Sequence, residues 1–424
     1  MNFSFLYGRG THEFRLDEAR LSQVLLPPEV KAVPCTAADV EAALDHPVGT
    51  PPLLEQLRAK KPERIVVVVN DITRPTPYGL LLPPVLRRFA EAGVSDEKVT
   101  LVVATGIHDP HTPEQNLQVY GEELVRRFRI VSHAADDPDS LVSLGTLATG
   151  SELCVNRLVA EADFLLTLGV VMPHYFAGYS GGRKSILPGV AGKESVERNH
   201  VRMVALMDDL PDLDANPLHL EMLEAARRVG VDCILNVVTN ENGEVVKVVA
   251  GDVEKAWKEA VAVSSALYEV PVAERADVAI VSACGHPRDI NVYQAQKALD
   301  HADKATKAGG AIVLVADCPG GYGERVFEEW LNTASRPEDI VARIRREFRM
   351  GGHKAFGIAK VAAAKKIYMV TSMSGERVRK LFAEKVASVE EALGRIEAER
   401  GAAFRCIVMP QGSLTVPVLV PEGR

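Results

Sequence analysis

Several things are missing from this sequence, and each absence removes a class of protein. No stretch reaches the ~18 uninterrupted apolar residues of a membrane-spanning helix, so a membrane is not an expected partner. Lys+Arg 49 against Asp+Glu 57 gives a net charge of -8, and no basic run marks a nucleic-acid face. The six cysteines, Cys35, Cys154, Cys233, Cys284, Cys318 and Cys406, lie far apart, with no C-x-x-C pair. Neither a zinc ribbon nor a disulfide framework fits that spacing, which leaves them as scattered small hydrophobes. The opening MNFSFLYGRGTHEFRL lacks the apolar core and cleavage site of a signal peptide, so a cytoplasmic, reducing location is the default expectation. Internal repeats and low-complexity segments are absent too. So are a G-x-G-x-x-G after the first strand, a Walker loop and a serine elbow.

What is present is an ordinary folded composition, 47% hydrophobic and 25% charged over 424 residues, with length for two or three domains at roughly 150 residues each. Short, nearly continuous apolar runs recur at Ile65 to Val69, Val99 to Ala104, Phe164 to Val171, Val278 to Ser282, Ala311 to Ala316 and Ile367 to Thr371. They read as strands buried on both faces. Amphipathic segments sit between several of them: Leu81 to Glu91, Gly121 to Phe128, Leu218 to Val229 and Val253 to Leu267. This alternation predicts an α/β chain of parallel or mixed sheets flanked by helices. The domain boundary falls near residue 272, giving domains 1–272 and 273–424. The last segment, CIVMPQGSLTVPVL, reads as one or two strands that could return to either domain.

Ligands of open α/β sheets collect beyond the carboxyl ends of the strands, and four such ends are rich in chemistry. The first, NDITRPTP, sets Asp71 and Arg74 in a proline-stiffened turn. They are either a local salt bridge or a hydroxyl acceptor beside a planar fork for carboxylate or phosphate. In ATGIHDPHTPEQ, prolines 110 and 113 exclude the helical zinc arrangement of a metalloprotease. His108 is then a loop hydrogen-bonder or a functional group, and His111 could belong to the next helix start.

The third end, GVVMPHYFAGYSGGRKSILPGVAGKESVERNH, is the densest. His174 follows the strand, and glycines 178, 181, 182, 189 and 192 permit positive φ and close approach. The N–H groups of Ser180-Gly181-Gly182-Arg183 could form an anion nest, with charge from Arg183 or Lys184. In SACGHPRDINVYQAQKALDHA, a helix from Ile290 puts Tyr293, Gln294 and Lys297 on adjoining turns. The plain alternative is an amphipathic helix that buries Val292, Ala295 and Leu299 and leaves Gln294 and Lys297 in water.

NDITRP, TGIH, HYFAGYSGGRKSILPG, the later NH at 199–200 and INVYQAQKALD together resemble the nickel-dependent lactate racemase family, in order and over nearly the whole chain. The resemblance implies a two-domain α/β protein with its active site in the interdomain cleft. It also implies a tethered cofactor, nickel(II) pyridinium-3,5-bisthiocarboxylic acid mononucleotide, supplied by cofactor-maturation enzymes. Lys184 resembles the lysine that attaches covalently to it, and His200 the nickel's protein ligand, a role for which imidazole is suited. Asp71, Ile72, Thr73 and Arg74 resemble the cofactor-contacting turn, and Ser180, Gly181 and Gly182 the loop that cradles the cofactor. Arg74, Tyr293, Gln294 and Lys297 are similar to the residues that bind substrate.

His108 and His174 match the family's two acid/base histidines. The implied reaction is racemisation or epimerisation of a small 2-hydroxy acid by proton-coupled hydride transfer through a 2-keto acid. One histidine serves each hand of the substrate, and such help is worth typically 10²–10⁴-fold. The stretch GGHKAFGIAK (351–360) stands where a tryptophan-bearing pocket segment is expected. His353 and Lys354 would make that wall more polar and leave the substrate open among lactate, malate, longer or aromatic 2-hydroxy acids and sugar acids. Arg288 is a candidate for a second carboxylate, or a surface residue. A homo-oligomer is left open. The alternatives are an NAD-dependent 2-hydroxyacid dehydrogenase, against which the missing dinucleotide fingerprint speaks, and a non-enzymatic binder of a phosphorylated metabolite.

Overall fold

The computed structural model describes residues 1–28, 33–206 and 211–420. The chain begins with a hairpin, β1 (Asn2–Tyr7) and β2 (Gly10–Arg15), then a short strand β3 (Leu21–Val24). It continues through β4 (Ile65–Asn70), β5 (Val99–Ala104), β6 (Arg129–Ser132), β7 (Phe164–Val170), β8 (Cys233–Thr239) and β9 (Val245–Gly251). The last group is β10 (Ala276–Ser282), β11 (Thr306–Val315), β12 (Lys366–Val370), β13 (Glu384–Val386) and β14 (Cys406–Met409). The helices that matter below are α1 (Tyr78–Glu91), α2 (Pro113–Arg127), α3 (Lys193–Val201), α4 (Pro217–Val229), α5 (Lys255–Tyr268), α6 (Val292–Ala305) and α7 (Gly352–Ala364). Among the described residues no helix is long and apolar enough to cross a membrane, and all six cysteines are free thiols.

Two compact units result: Val30–Ala266, and Met1–Glu29 together with Leu267–Arg424. The second crossing lies between Ala266 and Leu267, against an expected break near residue 272, and assigning residues 1–28 to the first domain is corrected. β3 runs parallel to β14, and Phe5, Phe14 and Leu16 are buried in the same core as Val278, Val313 and Val408. Pairing across nearly 400 residues leaves no local pattern for a sequence reading to find. The closing segment also resolves: β14 joins the central sheet of this unit, and Val416–Leu419 pairs with Glu269–Val272 in a separate ribbon.

In the Val30–Ala266 unit the six-stranded sheet has the order β9-β8-β7-β4-β5-β6, parallel except for the antiparallel β8–β9 pair. Ile65–Val69 and all of β7 are buried, as β-branched and apolar runs covered on both faces should be. Strand order reverses at β4, whose neighbours are β5 on one side and β7 on the other. The loops after β4 and β7 therefore flank the topological switch point where such sheets take ligands. The other unit's sheet, β13-β12-β11-β10-β14-β3, is wholly parallel.

The helix expected at Gly121 to Phe128 is the second half of a longer element. Pro113 opens α2 behind a Thr112–Gln115 capping box, and Gly121, at φ 81°, kinks it. Because Phe14 belongs to the core of the Leu267–Arg424 unit, Phe14→Ala should lower the stability of that unit by about 3–5 kcal/mol in chemical denaturation. No loss would contradict the assignment of the N-terminal hairpin to that core.

Candidate active site

The turn after β4 is built around Asn70 and Asp71. Tyr78 and Tyr120 hydroxyls both donate to the Asn70 carbonyl, at 3.1 and 2.8 Å, which holds the chain as it leaves the strand. Asp71 is buried. Its Oδ1 accepts from the Thr73 hydroxyl at 2.6 Å and the Thr73 N–H at 3.1 Å, and its Oδ2 accepts from His108 Nδ1 at 2.7 Å. Burial pushes the Asp71 carboxyl up, but the bonds from His108 and Thr73 and the nearby Arg74 charge outweigh it and hold it below the usual range. An ionised carboxylate on Nδ1 fixes that proton there and leaves Nε2 as the basic atom of the exposed His108 ring. The salt bridge considered between Asp71 and Arg74 is thus replaced by an Asp71–His108 pair.

Arg74 lies exposed, its Nη1 turned back to the Thr73 carbonyl and hydroxyl at 3.2 and 3.0 Å. Ile72, with 36% of its surface exposed, donates its N–H to His111 Nε2 at 2.8 Å, while His111 Nδ1 meets Asn116 Oδ1 at 3.0 Å. His111 is a clamp between this turn and α2.

The loop after β7 is folded by internal bonds. Ser180 Oγ donates to the Val170 carbonyl at 2.7 Å and accepts from Met172 N–H at 2.9 Å. The Ser180 N–H donates to the Met172 carbonyl, and the Gly182 N–H to Asn236 Oδ1, at 2.9 and 2.8 Å. The anion-nest expectation is corrected at these two positions, because both N–H groups are already used. Gly181 and Gly182 are required by geometry: at φ 73° and 51°, a Cβ would stand 2.7 Å from Val171 Cγ2 and 2.8 Å from Trp257 Cδ1. Arg183 is corrected as well. It is fully buried, donates to His219 Nδ1, the Tyr179 carbonyl and the Ala177 carbonyl at 2.9, 2.8 and 2.7 Å, and lies 3.8 Å over the Trp257 ring. The guanidinium is the internal pin of the loop.

Pinning Arg183 turns its neighbour Lys184 toward Phe176, a buried residue that the sequence reading did not single out. The Lys184 Nζ stands 5.3 Å from the Phe176 ring centroid. The His174 ring lies 4.5 Å from the same ring and the His200 ring 5.0 Å from it, both edge-on. One phenyl ring therefore gathers three of the candidate residues, delivered by the β7 loop, the glycine turn and α3.

Electrostatics follow from that packing. Burial, then the Arg183 and Arg74 charges, hold the Lys184 amine well below its ordinary pKa. Burial and Lys184 lower His200 to about 3. Burial, Lys184 and Arg74 hold His174 well below the usual imidazole range. The His174 and His200 imidazoles are thereby kept uncharged near neutral pH, the state in which an imidazole ligates metal, and the Lys184 amine loses its proton more readily than a solvated lysine, which favours its nucleophilic form. Among the described residues no group of three or more His, Cys, Asp or Glu side chains could hold a metal by itself. The donor set suits a metal that arrives with other ligands and needs one imidazole.

In the other unit, α6 buries Val292, Ala295 and Leu299 and leaves Gln294 and Lys297 exposed on one face. Tyr293 is half-buried, edge-on to Phe327 at 5.7 Å, with Lys354 Nζ 2.5 Å from its carbonyl and 4.3 Å over its ring. His353 and Lys354 are the residues expected to make a pocket wall more polar. Both are buried at the start of α7, and His353 Nδ1 accepts from Gly351 N–H at 3.2 Å. Arg288 is half-buried in the loop after β10.

Fold and site define an α/β protein whose switch-point loops bring Lys184, His174 and His200 around one phenyl ring and pair His108 with Asp71. The family models described as lactate racemase N-terminal domain and lactate racemase C-terminal domain match residues 7–208 and 272–420. The chain belongs to the lactate racemase family. It is 33% identical over 99% of both chains to the lactate racemase of Thermoanaerobacterium thermosaccharolyticum. Against the lactate racemase of Lactiplantibacillus plantarum it is 32% identical, over 88% of this chain and 89% of that one. The lactate racemase apoprotein structure from Thermoanaerobacterium thermosaccharolyticum superposes with a TM-score of 0.89 at 31% identity, covering 99% of this chain and 100% of that one. A crystal structure of a Thermotoga maritima protein, 20% identical with a TM-score of 0.65 over 93% and 100%, shares the fold.

Burial and the Arg183 charge lower His219 to about 4, so the fold binds fewer protons there than the unfolded chain does. Its contribution is present in full above the unfolded imidazole range of about 6.5 and falls away as the pH drops toward 4. The stability gap between wild type and His219→Gln should therefore narrow across that window in urea unfolding. A constant gap would contradict the Arg183–His219 contact.

Proposed function

We propose that the protein is a racemase or epimerase of a small 2-hydroxy acid that uses a nickel-pincer nucleotide held by Lys184 and His200. The observation that carries this reading is the gathering of Lys184, His200 and His174 around Phe176 in a chain of this family. The residues fit the group: a Lys184 amine held well below its ordinary pKa can attach it covalently, and an uncharged His200 imidazole can complete the metal's ligands. When bound, that group supplies a site to take up hydride from the hydroxyl-bearing carbon and return it.

The chain's own residues handle the protons and the substrate. His108, oriented by Asp71, takes the hydroxyl proton from one hand of the substrate, and His174 serves the other hand. Arg74 directs its planar fork at the substrate carboxylate. Gln294 and Lys297, exposed on one face of α6 with Tyr293 beside them, are the substrate-binding group of the second unit. A 2-keto acid that turns its other face before hydride returns accounts for the inversion.

The testing experiment offers a panel of 2-hydroxy acids to protein matured with the cofactor-making enzymes and follows optical rotation. At least one single enantiomer should lose its rotation without added NAD. Conversion to a keto acid only when NAD is added would instead establish the dehydrogenase. His108→Ala and His174→Ala should each lower kcat by about 10²–10⁴-fold while the Lys184 adduct and nickel stay at wild-type levels. Asp71→Asn, which can reverse the His108 tautomer, should cost about 10²-fold or more. Wild-type turnover in Asp71→Asn would contradict the dyad.

A further inference from the structure

The start of α4 grips all three parts of the site. Asn216, which caps the helix, donates from Nδ2 to the Phe176 carbonyl at 2.9 Å. His219 Nδ1 accepts from Arg183, the residue before Lys184, at 2.9 Å. Glu221 Oε2 accepts from Nδ2 of Asn199, the residue before His200, at 2.6 Å. Asn216, His219 and Glu221 are each 1% exposed, and the gripped Arg183 and Asn199 are fully buried. Glu221 also accepts from the Thr149 hydroxyl and pairs with Arg202 Nε at 3.5 Å. Arg202 in turn reaches the Thr149 carbonyl and Ser151 Oγ at 3.2 and 2.9 Å.

A buried carboxylate is a poor device for stability alone, since an apolar core residue of similar volume often serves as well or better. What it does provide is fixed geometry. α3 is nine residues long, and helices shorter than ~12 residues are marginal by themselves, so the placement of His200 depends on what holds α3. α4 is longer, buried along one side and capped by Asn216, so it is the stiffer body.

We infer that the first turns of α4 act as a ruler that sets the separation of the covalent tether and the metal ligand. His219 fixes the Lys184 side through Arg183, Glu221 fixes the His200 side through Asn199, and Asn216 fixes the ring between them. The three are positioning residues, and the inference rests on the cofactor reading above.

The test uses full-length protein matured with the cofactor-making enzymes and reads two quantities: the fraction carrying a mass adduct on Lys184, and nickel per adduct. Wild type should carry both. Glu221→Ala should keep the adduct within about twofold but lower nickel per adduct about tenfold, the usual scale for loss of a group that orients a metal ligand. Glu221→Gln, which keeps an oxygen for Asn199, should recover most of it. His219→Ala should do the reverse, lowering the adduct severalfold while nickel per remaining adduct holds. The control is Glu224→Ala on the same helix, whose carboxylate accepts from Ala148 N–H and Arg228 at 3.0 and 2.6 Å; it should change neither quantity. Should Glu221→Ala not fold, Asn199→Ala, which leaves Glu221 its bonds to Thr149 and Arg202, gives the same readout. Loaded wild type with equal nickel per adduct in Glu221→Ala and Glu224→Ala overturns the ruler alone. Wild type without adduct or nickel overturns the cofactor reading and the ruler with it.

Discussion

Removal of water from around one phenyl ring is the constraint on which the site depends. A lysine and two histidines beside Phe176 cannot all carry charge in that setting, because each cation raises the cost of the next and burial penalises them all. The amine is therefore held well below its ordinary range and the imidazoles are uncharged at neutral pH, which changes the chemistry available to them. In water Lys184 would be a solvated ammonium, with no lone pair for bond formation. Beside Phe176 it gives up its proton more readily, and His200 keeps a neutral imidazole.

The fold supplies that setting through its least conspicuous parts. A sheet whose order reverses at β4 opens a crevice at the strand ends, and the glycine turn brings the chain back into it. The turn holds because Arg183 is consumed internally, between His219, two carbonyls and the Trp257 face. Two adjacent cations thus have opposite fates. Arg183 keeps its charge by gathering acceptors, whereas Lys184 is held well below its ordinary range by burial and cationic neighbours. Asp71 works by the opposite principle on the other side of the switch point, staying ionised so that His108 presents one defined nitrogen.

Much of this could be read from the residues in order. The apolar runs that became β4, β5, β7, β10, β11 and β12 are buried on both faces and say so locally, and the chemistry clusters just past their ends. The motifs from NDITRP to INVYQAQKALD fixed the family. What stayed hidden was long-range: β3 beside β14, Asp71 beside His108, and α4 beside three segments at once. Nothing in NPLHLE (216–221) distinguishes it from an ordinary helix start, since its meaning lies in partners 22 to 40 residues away in sequence. Arg183 and Lys184 look interchangeable as sequence, and only packing separates them. His353 and Lys354, polar by type, proved to be interior residues, each with a hydrogen bond to backbone.

The most direct test of the account measures the protonation of Lys184 in protein without cofactor. An amine-reactive reagent applied across a pH series, with labelling read peptide by peptide by mass spectrometry, compares Lys184 with Lys258 and Lys307, whose carboxylate partners raise them above the usual lysine range. The account predicts that Lys184 reaches full reactivity well below the pH at which those two begin to react. Labelling of Lys184 in step with them would mean that burial does not lower its amine, and the central claim would be wrong.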